Sequence, residues 1–403
     1  MLFKKSYQSK KKGSRARLGE INTAYGTIKT PSFVAVGTKG TVKSLLPSLL
    51  KEIGTQVVFV NTYHLVTHPG VEVIEKAGGI HHYANLSLPL MSDSGGFQVF
   101  SLARNKKQND SLKLKINQER ENLKEKLAVI KISDDGVKFR SVFDGTVLEF
   151  TPEKSIEYQK KIGADIMMAF DECISYGVSY QYAKEATERT HRWLQRCIDQ
   201  NQKLKIKNQD EDPRLKTHQC LYGVIQGGVF EDLRKRSAKF VVSQKIDGVA
   251  IGGLSVGESK REMRDQVAWV SPFLPDDRPV HLLGVGEFDD ILDLVKYGID
   301  TFDCVEPTRK ARMGVLFELK VKSKKFKLEW KEVDILKGMY RNDLSKVDEN
   351  CICFVCQNFT KSYLHHLFKN RELLAYTLAT YHNLFVMERF FDWIRKMILE
   401  DLI

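Results

Sequence analysis

Eight short apolar runs punctuate the chain: Phe33 to Val36, Val57 to Val60, Leu88 to Met91, Asp165 to Phe170, Leu221 to Ile225, Gly248 to Ile251, Val280 to Leu283 and Thr301 to Val305. Most are rich in β-branched or aromatic residues, and they do not alternate polar with apolar. Continuous apolar runs of this length, separated by helical patterns, are those of parallel strands buried on both faces. Eight such βα units predict an α/β fold, a (β/α)8 barrel.

Polar residues or glycines follow the runs directly: Asn61, Asp93, Asp171, Gln226, Gly252-Gly253 and Gly284 to Gly286, with Asp303 near the end of its own run. In a barrel these positions sit at the carboxyl ends of the strands, where active sites are built. A doubly wound sheet also puts sites there, but no dinucleotide-binding fingerprint supports it. Between Arg104 and Ala128 lie eight Lys or Arg, four Asp or Glu and no Gly or Pro. This basic stretch reads as an inserted, solvated helical excursion, more simply a charged surface helix than a nucleic-acid contact. The polar stretch from Asn201 to Lys216 is expected to be a loop. Beyond Arg312 the pattern changes to a basic segment, Lys320 to Lys327, a cysteine cluster, and a helical sequence from Arg371 to Ile398. The expected division is a catalytic barrel over 1–315 and a small appended subdomain with C-terminal helices over 316–403.

Charge narrows the partners. Sixty-three basic against 51 acidic residues give +12, which favours a polyanion and steers it at long range. No secretory signal follows Met1 and no run approaches membrane-spanning length, so the protein is expected in the cytoplasm without a membrane partner. In that reducing compartment the cluster Cys351, Cys353 and Cys356 reads as metal binding, with thiol redox chemistry as the rival. Zinc in a closed tetrahedral site needs a fourth ligand; His382, His365 and His366 compete for that position on spacing alone. Such a site contributes about 10 kcal/mol or more of local folding free energy, enough to organise a subdomain without a large core of its own.

Two carboxylates at strand ends, Asp93 and Asp303, suggest acid/base plus nucleophile chemistry. Gly95-Gly96 and Gly227-Gly228 allow backbone to approach a ligand without a Cβ in the way. Asp171 accepts from ring or amino N–H groups while Gln226 both donates and accepts, a set that suits the Watson–Crick edge of guanine. Phe97 is placed to stack on a flat ring. Arg309 and Arg312, just beyond Asp303, suit the phosphates of a bound strand. A glycosidase acting on sugars would use two carboxylates as well, but the guanine-shaped donor and acceptor set disfavours it.

Taken in order, Ser92 to Gln98, Phe170 to Cys173, Val224 to Gly228, Gly252 to Glu258, Phe302 to Val305, Pro307 to Arg312, and Cys351 to Cys356 with His382 resemble the tRNA-guanine transglycosylases, from about Phe3 onward. The resemblance implies an irregular (β/α)8 barrel with a C-terminal zinc-binding subdomain. It also implies exchange of guanine at the tRNA wobble position for a 7-deazaguanine through a covalent enzyme–tRNA intermediate. Carried over residue by residue, Asp303 is the nucleophile and Asp93 the general acid/base, with Asn61 and His64 supporting the Asp93 carboxylate. Asp171, Gln226, Gly253 and Leu254 bind the base, between Phe97 and Leu283, and Glu258 supports the Leu254–Ser255 peptide. Arg309 and Arg312 contact the anticodon loop, and zinc is held by Cys351, Cys353, Cys356 and His382.

Within the family, Val256 and Cys173 point to the bacterial branch and its substrate 7-aminomethyl-7-deazaguanine. That branch forms homodimers, here through Phe359, Tyr363 and His366. A catalytically silent RNA-binding paralogue is the alternative, against which the retained carboxylates speak. Two departures stand out: Leu283 where some members have methionine, and Glu306 beside the nucleophile, expected to raise the Asp303 pKa if it points inward.

Overall fold

The computed structural model describes residues 2–96, 129–141, 145–211, 219–322 and 327–403. Eight parallel strands close into a barrel in chain order: β1 (Ser32–Val36), β2 (Val58–Val60), β3 (Leu90–Ser92), β4 (Ile166–Met168), β5 (Cys220–Ile225), β6 (Gly248–Ile251), β7 (Val280–Leu282) and β8 (Thr301–Cys304). Every apolar run of the sequence became one of these strands. They are almost wholly buried because helices cover the outer face of a parallel sheet. β3 starts two residues later than its apolar run. Pro89 has no N–H for the ladder and precedes the strand, although its carbonyl accepts from the Val58 N–H at 3.0 Å.

The chain forms two compact units, one of Met1–Phe59, Ala84–Pro89 and Pro279–Ile403, the other of Val60–Tyr83 and Leu90–Arg278. In the first, β1 and β8 pair in register, Asp303 opposite Val34. The helix Leu373–Leu399 lies against them through Phe391, whose ring is 6.2 Å from Phe33 and 5.8 Å from Phe302. Phe288 meets Phe390 at 4.9 Å and Phe317 at 5.2 Å, which ties the antiparallel hairpin Val315–Lys322/Lys327–Asp334 into the same core. A meander of Phe3–Gln8, Arg17–Thr23 and Gly26–Thr30 completes this unit. Its Arg17 guanidinium is buried against the Asp300 carboxylate, Nε to Oδ1 at 3.0 Å.

The second unit holds a chain of buried rings, Tyr63, Phe139, Phe150, Phe170 and Trp193, with successive centroids 4.8–6.4 Å apart. Phe139 and Phe150 come from a three-stranded sheet, Val129–Ser133, Gly136–Arg140 and Val147–Phe150. The helix Pro152–Ile162 then starts on Thr151, whose side chain accepts from the Lys154 N–H, and stops at left-handed Gly163. The helix Lys260–Val270 opens with a reciprocal Ser259/Glu262 capping box.

Three expectations change or go unaddressed. The stretch from Asn201 is no loop as far as Glu211: it continues the helix Tyr180–Glu211. Gln202 and Lys203 are exposed on its surface, and without Gly or Pro nothing there ends the helix. The sheets outside the barrel were not anticipated, since their strands bury only one face and lack continuous apolar runs. The Arg104 to Ala128 insertion lies outside the described residues, as does the end of the polar stretch at 212–218.

Candidate active site

Asp93 follows β3 in the second unit and is held from several sides. The Asn61 amide donates to Oδ2, while the Thr62 N–H at 2.8 Å and the Gly95 N–H at 3.1 Å donate to Oδ1. The Thr62 hydroxyl donates to the Asp93 carbonyl at 2.6 Å. Asn61 is aimed by its second task, capping the helix Thr62–Thr67 by accepting from the His64 N–H at 2.9 Å. His64 takes part in this arrangement through its backbone N–H.

Asp171 follows β4, and Gln226 ends β5. Gln226 Nε2 donates to Asp171 Oδ2 at 2.7 Å, and the Ser94 hydroxyl donates to Oδ1 at 3.2 Å. Burial pushes the Asp171 carboxyl up to about 6, with these hydrogen bonds pulling the other way. Gln226 is fully buried, and its Oε1 has no partner among the described residues. A buried amide oxygen without a donor is costly and marks where a donor-bearing ligand fits.

The loops after β5 and β6 are joined by Arg234, a fully buried guanidinium that faces carbonyls. It donates to Gly228 O at 2.7 Å, Gly252 O at 2.6 Å, Gly253 O at 2.8 Å and Gln266 Oε1 at 2.7 Å. Burial lowers its pKa to about 10, which leaves it charged at neutral pH. Gly253 has φ +65°, and a Cβ there would collide with Gln226 Oε1; glycine is required on both counts. Leu254 is buried. Glu258 then accepts from the Ser255 N–H at 2.5 Å and the Val256 N–H at 2.9 Å. Ser255 itself has φ +56°.

In the first unit Asp303 occupies the third position of β8, with its carboxylate largely buried. Oδ1 accepts from the Gly284 N–H at 3.0 Å and lies 3.2 Å from His281 Nε2. Burial pushes the neighbouring Cys304 thiol up to about 12. Glu306 is ion-paired with Lys310 one turn along the helix Glu306–Arg312, which neutralises the charge expected to disturb Asp303. Leu283 is half-buried at the turn after β7.

Arg309 and Arg312 line a cavity of about 260 Å3 with Lys43, Val36, Thr38, Val305 and Thr308. Burial and the nearby Arg312 and Lys39 lower the Lys43 pKa, and among the described residues no carboxylate pairs with Lys43, Arg309 or Arg312. The cavity is suited to an anion. Phe97 lies outside the described residues.

Cys351, Cys353, Cys356 and His382 converge, with the three sulfurs 4.0, 3.4 and 3.4 Å from His382 Nδ1. A tetrahedral ion with bonds of about 2.0–2.3 Å has ligand–ligand edges of roughly 3.5 Å. His382 Nε2 donates to Phe317 O at 2.7 Å, which turns the Nδ1 lone pair toward the thiols. Hydrogen bonds from Cys351 and Cys356 lower the pKa of Cys353. This cluster can hold a metal ion. His365 is engaged elsewhere, its Nδ1 2.7 Å from Ile335 O.

Sequence reasoning missed Thr62, Ser94 as a ligand of Asp171, Arg234 and His281. Only Ser94, beside Asp93 in one motif, carried a local signal.

The profile of the family described as Queuine tRNA-ribosyltransferase matches residues 11–403. Among curated relatives, the Queuine tRNA-ribosyltransferase of Thermoanaerobacter pseudethanolicus is 43% identical over 397 residues, 98% of this chain and 94% of the relative. The relatives so named from Protochlamydia amoebophila and Aquifex aeolicus are each 42% identical, covering 100% and 96% of this chain and 96% and 93% of their own lengths.

Proposed function

The chain belongs to the queuine tRNA-ribosyltransferase family, tRNA-guanine transglycosylases that are pentosyltransferases, and on that footing we propose that it exchanges wobble-position guanine for 7-aminomethyl-7-deazaguanine by double displacement. A carboxylate oxygen of Asp303 attacks C1′ of the target nucleoside as the C1′–N9 bond breaks, which joins enzyme to tRNA. Asp93, protonated at the start, gives its proton to the departing guanine. It then takes the N9 proton of the incoming base, whose N9 attacks C1′ and releases Asp303 as carboxylate.

The observation that carries this reading is the buried Asp171–Gln226 pair, which offers carboxylate acceptors and an amide oxygen without a partner. Guanine and its 7-deaza analogue present N–H donors on one edge that match this set. Gly253 and Leu254 would complete the hydrogen bonding, with Glu258 steadying the peptide beyond Leu254 and with Phe97 and Leu283 on the two faces of the base. Arg309 and Arg312, with the cation-lined cavity beside them, suit the phosphates of a splayed anticodon loop.

Residues 1–315 serve in this proposal as the catalytic barrel and 316–403 as the metal-binding subdomain. Zinc is the ion that best suits three thiolates and an imidazole, and a closed four-ligand site makes it structural. Tyr363 stacks on Phe359 at 5.4 Å and is exposed, as are Ile352 and Phe354 nearby. This aromatic surface supports a homodimer formed through the subdomain. Among the described residues no helix is long and apolar enough to cross a membrane, and a tRNA substrate favours a cytoplasmic enzyme.

The test is incorporation of labelled guanine into tRNA, together with a search for a denaturation-resistant enzyme–tRNA species. Wild-type protein is expected to give both and Asp303→Asn neither. An adduct formed by Asp303→Asn would remove the nucleophile assignment.

A further inference from the structure

We propose that His281 is a positioning residue that fixes Oδ1 of Asp303 and so leaves Oδ2 as the oxygen that attacks the ribose. The inference rests on the reading of Asp303 as the nucleophile. It begins in strand register. Thr301 and Asp303 are two apart on β8 and so point to the same face, while the parallel pairing of β7 with β8 places His281 opposite Thr301. The imidazole therefore lies between two side chains of the neighbouring strand. Its Nδ1 is 2.9 Å from Thr301 Oγ1 and its Nε2 3.2 Å from Asp303 Oδ1.

The ring is fully buried and lies nearly parallel to Phe59, with centroids 5.8 Å and planes 20° apart, so its plane is set by packing. The tautomer follows from its neighbours. A lone pair on Nε2 facing a carboxylate oxygen would be repelled, so Nε2 carries the proton and presents its positive N–H edge to Oδ1 in a close electrostatic contact, without the alignment of a hydrogen bond. Nδ1 then accepts from the Thr301 hydroxyl, which can rotate to donate. With no exposure to solvent, the imidazole bears on Asp303 through this contact and has no water-facing side by which to pass a proton on.

Oδ1 accepts from the Gly284 N–H at 3.0 Å, and Gly284 has the left-handed φ of +76° that presents this N–H. Among the described residues no donor engages Oδ2. A carboxylate with a backbone donor and a close imidazole N–H edge on one oxygen and no donor on the other is anchored through the first and keeps the lone pairs of the second available. Held in this way, the nucleophile meets C1′ in a single orientation, and a displacement of 1 Å in such a group costs about 100-fold in rate.

The experiment compares single-turnover adduct formation, kcat for guanine exchange, and KM for tRNA. His281→Leu is expected to lower adduct formation and kcat by about 30-fold to 100-fold, with KM for tRNA within about twofold of wild type. His281→Gln, whose amide can donate to the same oxygen, is expected to recover to within about tenfold of wild type. Thr301→Val, nearly isosteric, tests the tautomer in a fold that tolerates it and is expected to slow adduct formation about threefold to tenfold at unchanged KM. A wild-type rate in His281→Leu or in Thr301→Val, or a His281→Gln enzyme no faster than His281→Leu, would overturn the proposal. In the structure of a trapped enzyme–RNA adduct, the oxygen facing His281 and Gly284 should be the unbonded one; a bond to that oxygen overturns the proposal as well. Asp303→Asn separates the two levels, since an adduct in that variant refutes the nucleophile reading itself.

Discussion

Gln226 Nε2 donates to Asp171 Oδ2 at 2.7 Å, in a site where burial pushes that carboxyl up to about 6. The pair binds a base through the ionised carboxylate, so affinity for free guanine should fall as pH drops below about 6. Calorimetric titration between pH 5 and 8 checks this, and an affinity that stays flat would exclude Asp171 as the acceptor. The sign for stability is opposite. Between the ordinary value of 3.8 and about 6 the folded state binds the proton more tightly than the unfolded one, so stability contributed at low pH is lost as pH rises through this window. The interval corresponds to on the order of 3 kcal/mol, and Asp171→Asn should flatten the denaturation midpoint across it.

Arg234 clamps carbonyls of the loops after β5 and β6, and its removal strands those carbonyls in a buried site. Arg234→Leu should destabilise the protein by about 3 kcal/mol or more, with Arg234→Lys intermediate because one ammonium cannot span the same acceptors. Denaturant unfolding measures both. Equal stability of wild type and Arg234→Leu would show that the loops hold their shape without it.

One zinc per chain is expected from metal analysis, lost or greatly weakened in His382→Ala. Chelation should melt the helical segments around Phe354–Asn358 before the barrel. Full metal content and unchanged melting in His382→Ala would transfer the fourth position to His366 or another donor.

If Phe359 and Tyr363 form the dimer contact, their double replacement by alanine should give folded, metal-loaded monomers with weakened tRNA binding. Sedimentation decides: a wild-type protein already monomeric at micromolar concentration, or a variant still dimeric, excludes this surface.

Arg309→Ala should weaken tRNA binding and reduce the slope of log K against log salt by about one. A slope unchanged from wild type would mean that Arg309 contacts no phosphate.

The barrel was legible in the sequence because strands buried on both faces are mostly apolar, and all eight runs are so, with polar exceptions such as His281, Thr301 and Asp303. The thiol cluster Cys351, Cys353 and Cys356 and the strand-end positions of Asp93, Asp171, Gln226 and Asp303 could be picked out too, since short motifs keep these side chains beside the glycines and turns that present them. The chain from Asn201 to Glu211 was misread because polarity reports solvent contact and says nothing of helix or loop. What only tertiary structure decided was pairing. Nothing in the sequence sets Glu306 against Lys310 and not toward Asp303, or selects His382 over His365 on spacing alone. Arg234 reaches Gly253 because its helix, Glu231–Ser243, packs back on β5, and His281 reaches Asp303 because the parallel pairing of β7 with β8 sets it opposite Thr301, a register settled by the packing of whole strands.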